Sequence, residues 1–283
     1  MRDRLFVAAA CAAAVSVAGC TGSREVVASA RTPSVGAPAS AAAVAAAATP
    51  SSGVGSAEAP APPTRASPSG LPTPLTVLEI GDSLGEDLGF GLEHVLRDVD
   101  GVQLVQAAKG NSGLVQPQYY DWPKHLSQLL GEHRPDVVVV FLGANDVQDF
   151  YAGGVLRQFG AVGWEEAYAQ RVATMMQEAT AAGAKMLWVG MPIMKSATFS
   201  SSMAKLNDIF QAQAMQHPGV TYMPSWNLFT DDAGNYVKTA RIDGEPVTLR
   251  TPDGVHITFG PGGGGADVLA AAVVDALSGL LAD

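Results

Sequence analysis

The chain is poor in charge, in cysteine and in aromatic residues. Only 16% of its 283 residues are charged and 7% aromatic, and Asp and Glu outnumber Lys and Arg by 27 to 17. The resulting net charge of −10 excludes the basic face that a phosphate backbone demands, so nucleic acid is not an expected partner. Two cysteines, Cys11 and Cys20, exclude a disulfide framework and a cysteine-rich zinc module. His94, His125, His133 and His217 have no metal-ligand spacing with carboxylates or cysteine, so no metal is expected. No repeat of fixed period is visible, and beyond the first twenty residues no apolar run is expected to reach membrane-spanning length. What the chain has is apolar mass: 47% hydrophobic residues, enough for one sizeable α/β domain.

That mass is unevenly spread. Arg2 and Arg4 precede an apolar run over residues 5–18, the order of an export signal. Val17-Ala18-Gly19-Cys20 resembles a bacterial lipobox. The resemblance implies cleavage before Cys20, a lipid on its thiol, and an exported, membrane-anchored protein facing the cell envelope. An ordinary secretory signal that contains Cys20 is the alternative. Residues 21–72 are almost wholly Ala, Pro, Ser, Thr, Gly and Val, with no aromatic residue. Such a segment buries too little apolar surface to offset its ordering entropy, and it is expected to be a disordered tether. As a flexible coil it would reach on the order of 40 Å. Five of the basic and three of the acidic residues precede residue 73, which leaves residues 73–283 with 12 and 24, a net of −12. A domain so acidic is not expected to adhere to anionic lipid through its own surface, so membrane contact is expected through the anchor alone.

Within 73–283, apolar runs of strand length alternate with helical spacing. Strands are predicted over 76–80, 102–107, 137–142, 186–190 and 220–223. Helices are predicted over 84–99, 122–132, 164–182, 200–216 and 266–282. The uncharged, β-branched run at 137–142 reads as a strand buried on both faces. Residues 231–250 read as an excursion with a hairpin turning at Asp243-Gly244. Strict alternation predicts an α/β fold, a three-layer α/β/α sandwich on a mainly parallel sheet of about five strands. A site belongs at the strands' C-terminal edge.

Three motifs fall at that edge. Gly81-Asp82-Ser83-Leu84 follows the first strand and opens a helix, whose N-terminus favours a developing negative charge. A serine there is by itself often only a cap. Gly143-Ala144-Asn145-Asp146 follows the buried strand, and an asparagine amide is a fixed neutral donor suited to an oxyanion, or to an Asx turn. Asp253-Gly254-Val255-His256 precedes the last helix. An Asp three residues before a His can fold back so that its carboxylate holds imidazole Nδ1–H and leaves Nε2 free as a base.

In the order Ser, Asn, Asp, His, these motifs resemble the SGNH (GDSL-type) hydrolase superfamily over about residues 75–283, a flavodoxin-like fold. The resemblance implies Ser83 as nucleophile, His256 as base and Asp253 as its orienter. It also implies an oxyanion hole from the Ser83 N–H, a glycine N–H and the Asn145 amide. Gly113, in Gly110-Asn111-Ser112-Gly113, is taken for that glycine, and Gly110 is the alternative. The stretches Gly113-Leu114-Val115, Tyr120-Asp121-Trp122-Pro123, Asn145-Asp146-Val147-Gln148, Trp188-Val189-Gly190-Met191-Pro192 and Leu249-Arg250 resemble a bacterial subgroup of that superfamily without an assigned function. No cofactor is implied.

Several side chains near the motifs have two readings. Tyr120 and Trp122, with Tyr119, suit either stacking on a sugar or covering the core. Asp82, Asp146, Gln148 and Arg250 suit either substrate contact or support of the site, and Arg250 would pair with an acidic glycan, with a site carboxylate, or only locally. Gly89-Phe90-Gly91 reads as a helix-packing patch, and the glycine-rich link 261–265 as a source of looseness for His256. The expected substrate is an acylated glycan, glycolipid or small ester. The leading expectation is removal or transfer of a short O-acyl group, acetyl above all, on an envelope glycan or glycolipid. A lipase, lysophospholipase or thioesterase of the same fold is a second reading. A catalytically silent glycan-binding module is a third. The oligomeric state is not legible.

Overall fold

The computed structural model describes residues 70–260 and 263–282. The signal-like segment, Cys20 and residues 21–69 of the expected tether lie outside the described residues.

The fold is built outward from β3 (Val137–Phe141), whose five residues have no solvent exposure. A strand buried on both faces belongs inside a parallel sheet covered by helices. It pairs in parallel with β1 (Leu75–Gly81) on one side and β6 (Lys185–Val189) on the other. With β2 (Val102–Gln106) and β7 (Val220–Met223) the sheet runs β2-β1-β3-β6-β7. The helices are α1 (Ser83–Leu96), α2 (Trp122–His133), α3 (Val162–Ala181), α4 (Ala197–Ala214) and α5 (Gly265–Ala282). α1 packs against α5, α2 against α3 and α3 against α4, which covers the sheet and gives the expected three-layer sandwich. Strand order departs in opposite directions from β1 and β3, so the loops leaving their C-terminal ends diverge and open a crevice there.

Local chemistry sets most of the boundaries. Asp82, Asp121 and Ser196 cap α1, α2 and α4 through side-chain oxygens, which satisfy N–H groups that a helix start leaves open. Ser196 starts α4 three residues before the predicted position. The hairpin of β8 (Thr239–Ile242) and β9 (Glu245–Thr248) turns at Asp243-Gly244 as expected, both with positive φ. A second hairpin, β4 (Phe150–Ala152) and β5 (Val155–Arg157), turns at Gly153-Gly154 and was not expected. Its strands are three residues long, too short for an alternation to register.

One expectation needs correction. α5, with a mean hydropathy of 1.7, is long and apolar enough by composition to cross a membrane, and 56% of it is buried within the fold. Its apolar character is that of a core helix seated on α1 and the sheet, with Leu269, Val273 and Leu277 fully buried.

Gly89-Phe90-Gly91 lies inside α1 as a packing patch. A Cβ on Gly91 would fall within the Ala266 carbonyl, so helix contact with α5 requires glycine there. Gly131, on α2, has nothing within 4 Å of such a Cβ. Gly91→Ala is expected to destabilise the fold by about 1–3 kcal/mol through overpacking. Gly131→Ala is expected to stabilise it by up to about 1 kcal/mol through helix propensity. Urea denaturation midpoints of the two variants check both signs.

Candidate active site

The end of β1 and the end of β3 are joined by one carboxylate. Asp82 accepts from Leu84 N–H at 2.9 Å with one oxygen, and from Gly143 and Ala144 N–H at 3.0 and 2.9 Å with the other. It has no exposure, and burial pushes its pKa up to about 6 against the pull of those three donors. Of its two expected roles the structure gives it support, not substrate contact. Ser83 is the first residue of α1, and its N–H has no acceptor among the described residues.

The Asp253–His256 loop reaches this serine from the far end of the chain. His256 Nε2 lies 3.0 Å from Ser83 Oγ, and His256 Nδ1 lies 2.7 Å from Asp253 Oδ2. Asp253 Oδ1 also accepts from Thr251 Oγ1 at 2.5 Å, Val255 N–H at 2.8 Å and His256 N–H at 3.0 Å. Partial burial raises the Asp253 pKa, but these hydrogen bonds outweigh it and hold the carboxyl well below the usual carboxylate range. An ionised Asp253 on Nδ1 fixes the tautomer that leaves Nε2 able to accept the serine proton. The imidazole is 39% exposed, so the pair sits on an open rim.

Asn145 donates to Ser112 O at 2.9 Å through Nδ2, and its second amide hydrogen has no acceptor among the described residues. The same holds for the Gly113 N–H. The Gly110 N–H, by contrast, is taken by Glu86 at 2.8 Å, which favours Gly113 between the two candidate glycines. A Cβ at Gly113 would collide with the Asp146 carboxylate, so the loop passes too close to that group for any side chain.

The remaining candidates are supports. Asp146 is fully buried, accepts from Val115 N–H at 3.0 Å and Tyr168 Oη at 2.7 Å, and burial pushes its pKa up to about 7. Gln148 donates to Asn145 O at 2.5 Å. Trp122 has no exposure and donates to Ser112 Oγ at 3.0 Å, so of its two readings, sugar stacking and core packing, the structure gives core packing. Tyr120 is half-buried, with one face against His125 at 4.0 Å. Arg250 faces no solvent and pairs with no carboxylate among the described residues. It is fully buried and donates to the carbonyls of Ile193 (2.8 Å), Val255 (2.5 Å) and Gly254 (3.4 Å), with its plane over Phe229. Burial lowers its pKa to about 10, still a cation at neutral pH.

Sequence reasoning missed Ser112 and Asp87. Ser112 links three groups: Trp122, Asn145 and, through its hydroxyl at 2.6 Å, the Lys109 carbonyl. Asp87 accepts from Ile257 N–H at 2.9 Å. Its signal was an acid on the apolar face of α1, between Leu84, Leu88 and Leu92. Elsewhere, a groove of about 1010 Å³ lined by Arg134, Asp136, Glu178 and Lys185 lies at the opposite, N-terminal edge of the strands and holds none of the motif residues.

Residues 76–276 match a family described as Protein of unknown function, DUF459. The chain belongs to DUF459. No curated protein matches it. Among solved structures, this DUF459 chain is similar to LAE5, an alpha/beta hydrolase enzyme from the metagenome of Lake Arreo, Spain, with 14% identity, TM-score 0.54, and 75% of this chain and 98% of that one covered. It is also similar to Axe2, an acetylxylan esterase from Geobacillus stearothermophilus (12% identity, TM-score 0.49, 74% and 96% covered). A GDSL-like lipase from Bacteroides thetaiotaomicron gives 15% identity and TM-score 0.49, with 73% and 89% covered. The likeness to LAE5 is one of fold, a parallel sheet between layers of helices.

The buried acids give the DUF459 domain a defined pH response. Asp82, Asp87 and Asp146 have pKa values raised by burial to about 6, 6 and 7. Between the ordinary carboxylate range and those values the folded state holds protons that the unfolded chain has released, so stability falls as pH rises through that window. Urea denaturation is expected to give a more stable protein at about pH 5 than at about pH 8. The difference is at least about 1.4 kcal/mol, the linkage of one proton over one pH unit.

Proposed function

We propose that this DUF459 protein is a serine esterase, an acyl hydrolase that works through an acyl-serine intermediate. The observation that carries the reading is the pair of contacts on one imidazole, 3.0 Å to Ser83 Oγ and 2.7 Å to Asp253 Oδ2. In this reading Ser83 attacks an ester carbonyl while His256 Nε2 takes its proton, and Asp253 stabilises the imidazolium. The carbonyl oxygen becomes an oxyanion that is met by the Ser83 N–H, the Gly113 N–H and the free amide hydrogen of Asn145. His256 then returns its proton to the leaving alcohol. Water, or an acceptor hydroxyl in a transferase variant, attacks the acyl-serine through the same base. This chemistry calls on no metal or organic cofactor.

The proposed substrate is a short O-acyl group, acetyl above all, on a cell-envelope glycan or glycolipid. The export-signal-like N-terminus, the lipobox-like Cys20 and the long tether-like segment support a membrane-anchored domain that faces the envelope. The half-exposed imidazole supports a site open enough to receive an ester on a polymer.

Ser83→Ala is expected to lower p-nitrophenyl acetate turnover by at least about 10³-fold and to abolish labelling by a fluorophosphonate. Full activity in that variant sinks the reading. Asn145→Ala is expected to lower kcat by about 10²–10³-fold. A rate maximum at acyl chains of eight carbons or more would move the substrate to the lipase or thioesterase class.

A further inference from the structure

One stripe of α1 meets the C-terminal segment residue by residue. Ser83 meets His256 at 3.0 Å, and Asp87 accepts from Ile257 N–H at 2.9 Å. Phe90 stacks on Phe259 with ring centroids 4.3 Å apart, and His94 Nδ1 lies 2.7 Å from Asp267 Oδ2. The four α1 positions are separated by four, three and four residues, the spacing of one helix face. Asp87 is the polar member on the buried side, 6% exposed among fully buried Leu84, Leu88 and Leu92. A buried carboxylate is costly unless it is hydrogen-bonded, and its donor here is the main chain beside His256.

The other groups that hold the His256 loop act from elsewhere. Every donor to Asp253 comes from residues 251–256, so Asp253 fixes the ring within its own loop. Arg250 ties that loop to the Ile193 carbonyl, in the segment between β6 and α4. Among the described residues, the hydrogen bond that joins the loop's main chain to the helix carrying Ser83 is the one at Asp87, across 170 residues.

We infer that Asp87 is a positioning residue for His256: by holding Ile257 N–H against α1, it sets His256 Nε2 at Ser83 Oγ. The inference rests on the esterase reading above. Its leverage is large, because a reacting group displaced by about 1 Å loses about 10²-fold in rate. The charged groups that face Asp87 are His256 and Arg250 from the C-terminal segment, and Asp82 and Glu86 from the start of α1. A neutral acceptor at position 87 can still hold the same N–H, so the role is one of geometry and not of charge.

The test compares the full chain with Ser83→Ala, Asp87→Ala, Asp87→Asn and Asp87→Ser, by p-nitrophenyl acetate kinetics and by the rate of fluorophosphonate labelling. Asp87→Ala is expected to lower kcat by about 10–100-fold with KM within about twofold, and to slow labelling by the same factor. Asp87→Asn keeps an oxygen in reach of Ile257 N–H and is expected to recover kcat to within about threefold. Asp87→Ser, too short to reach, is expected to follow alanine, and it decides the matter if the alanine variant does not fold. Wild-type kcat in Asp87→Ala or Asp87→Ser beside an inactive Ser83→Ala overturns the inference and leaves the esterase reading standing. So does equal loss in Asn and Ser, or a raised KM at constant kcat. An active Ser83→Ala overturns the esterase reading itself.

Discussion

A single buried carboxylate, Asp82, sets the relation between the two strands on which the site is built. Its three N–H partners come from the start of α1 and from the turn after β3, two elements that diverge at the point where strand order reverses. A turn of chain at such a crevice has no sheet partner of its own, so something must take up its open donors. Asp82 takes three at once. It leaves Ser83 on the first turn of α1 with an uncommitted N–H, and it holds residues 143 and 144 so that Asn145 follows in a fixed place. The energetic cost is a carboxyl whose pKa is drawn up to about 6 by burial.

From that joint a series of supports runs outward. Asn145 leans on the Ser112 carbonyl, Ser112 on Trp122 and Lys109, and the Gly113 loop lies against Asp146, which is itself held by Tyr168 and Val115. Asn145 and Gly113 at the rim are thus backed by buried groups. This is how a site on loops acquires the precision of the sheet beneath it. Burial raises the pKa of Asp82, Asp87 and Asp146, whereas Asp253 is held in the opposite direction by hydrogen bonds on a half-exposed surface.

The alternation of strands and helices was legible because β3 carries an uninterrupted β-branched run and its neighbours β1 and β6 are largely apolar, and because Asp, Ser and Gly mark the helix ends. Ser83, Asp253 and His256 stood out because Asp-x-x-His closes on itself over three residues, a local geometry that a sequence can carry. The β4–β5 hairpin was not legible, since three-residue strands leave no period. Nor was the orientation of Arg250: a cation in a polar stretch reads as surface until the carbonyls of residues 193, 254 and 255 are seen to converge on it. Trp122 is the reverse case. An indole beside a motif reads equally as a wall for a sugar or as core, and only its contact with Ser112 and its complete burial decide between them.

The described chain begins and ends at one pole. Gly70 lies against Ser278 near the end of α5, and Lys185, at the start of β6, donates to the Leu280 carbonyl at 2.6 Å. β1 then carries the chain away from that pole for seven residues, about 20 Å, before Ser83 is reached. Any pull transmitted through the residues upstream of 70 is therefore taken up along the hydrogen bonds of a strand with partners on both sides. The hydroxyl at 83 lies just beyond the end of that strand, at the opposite end from residue 70.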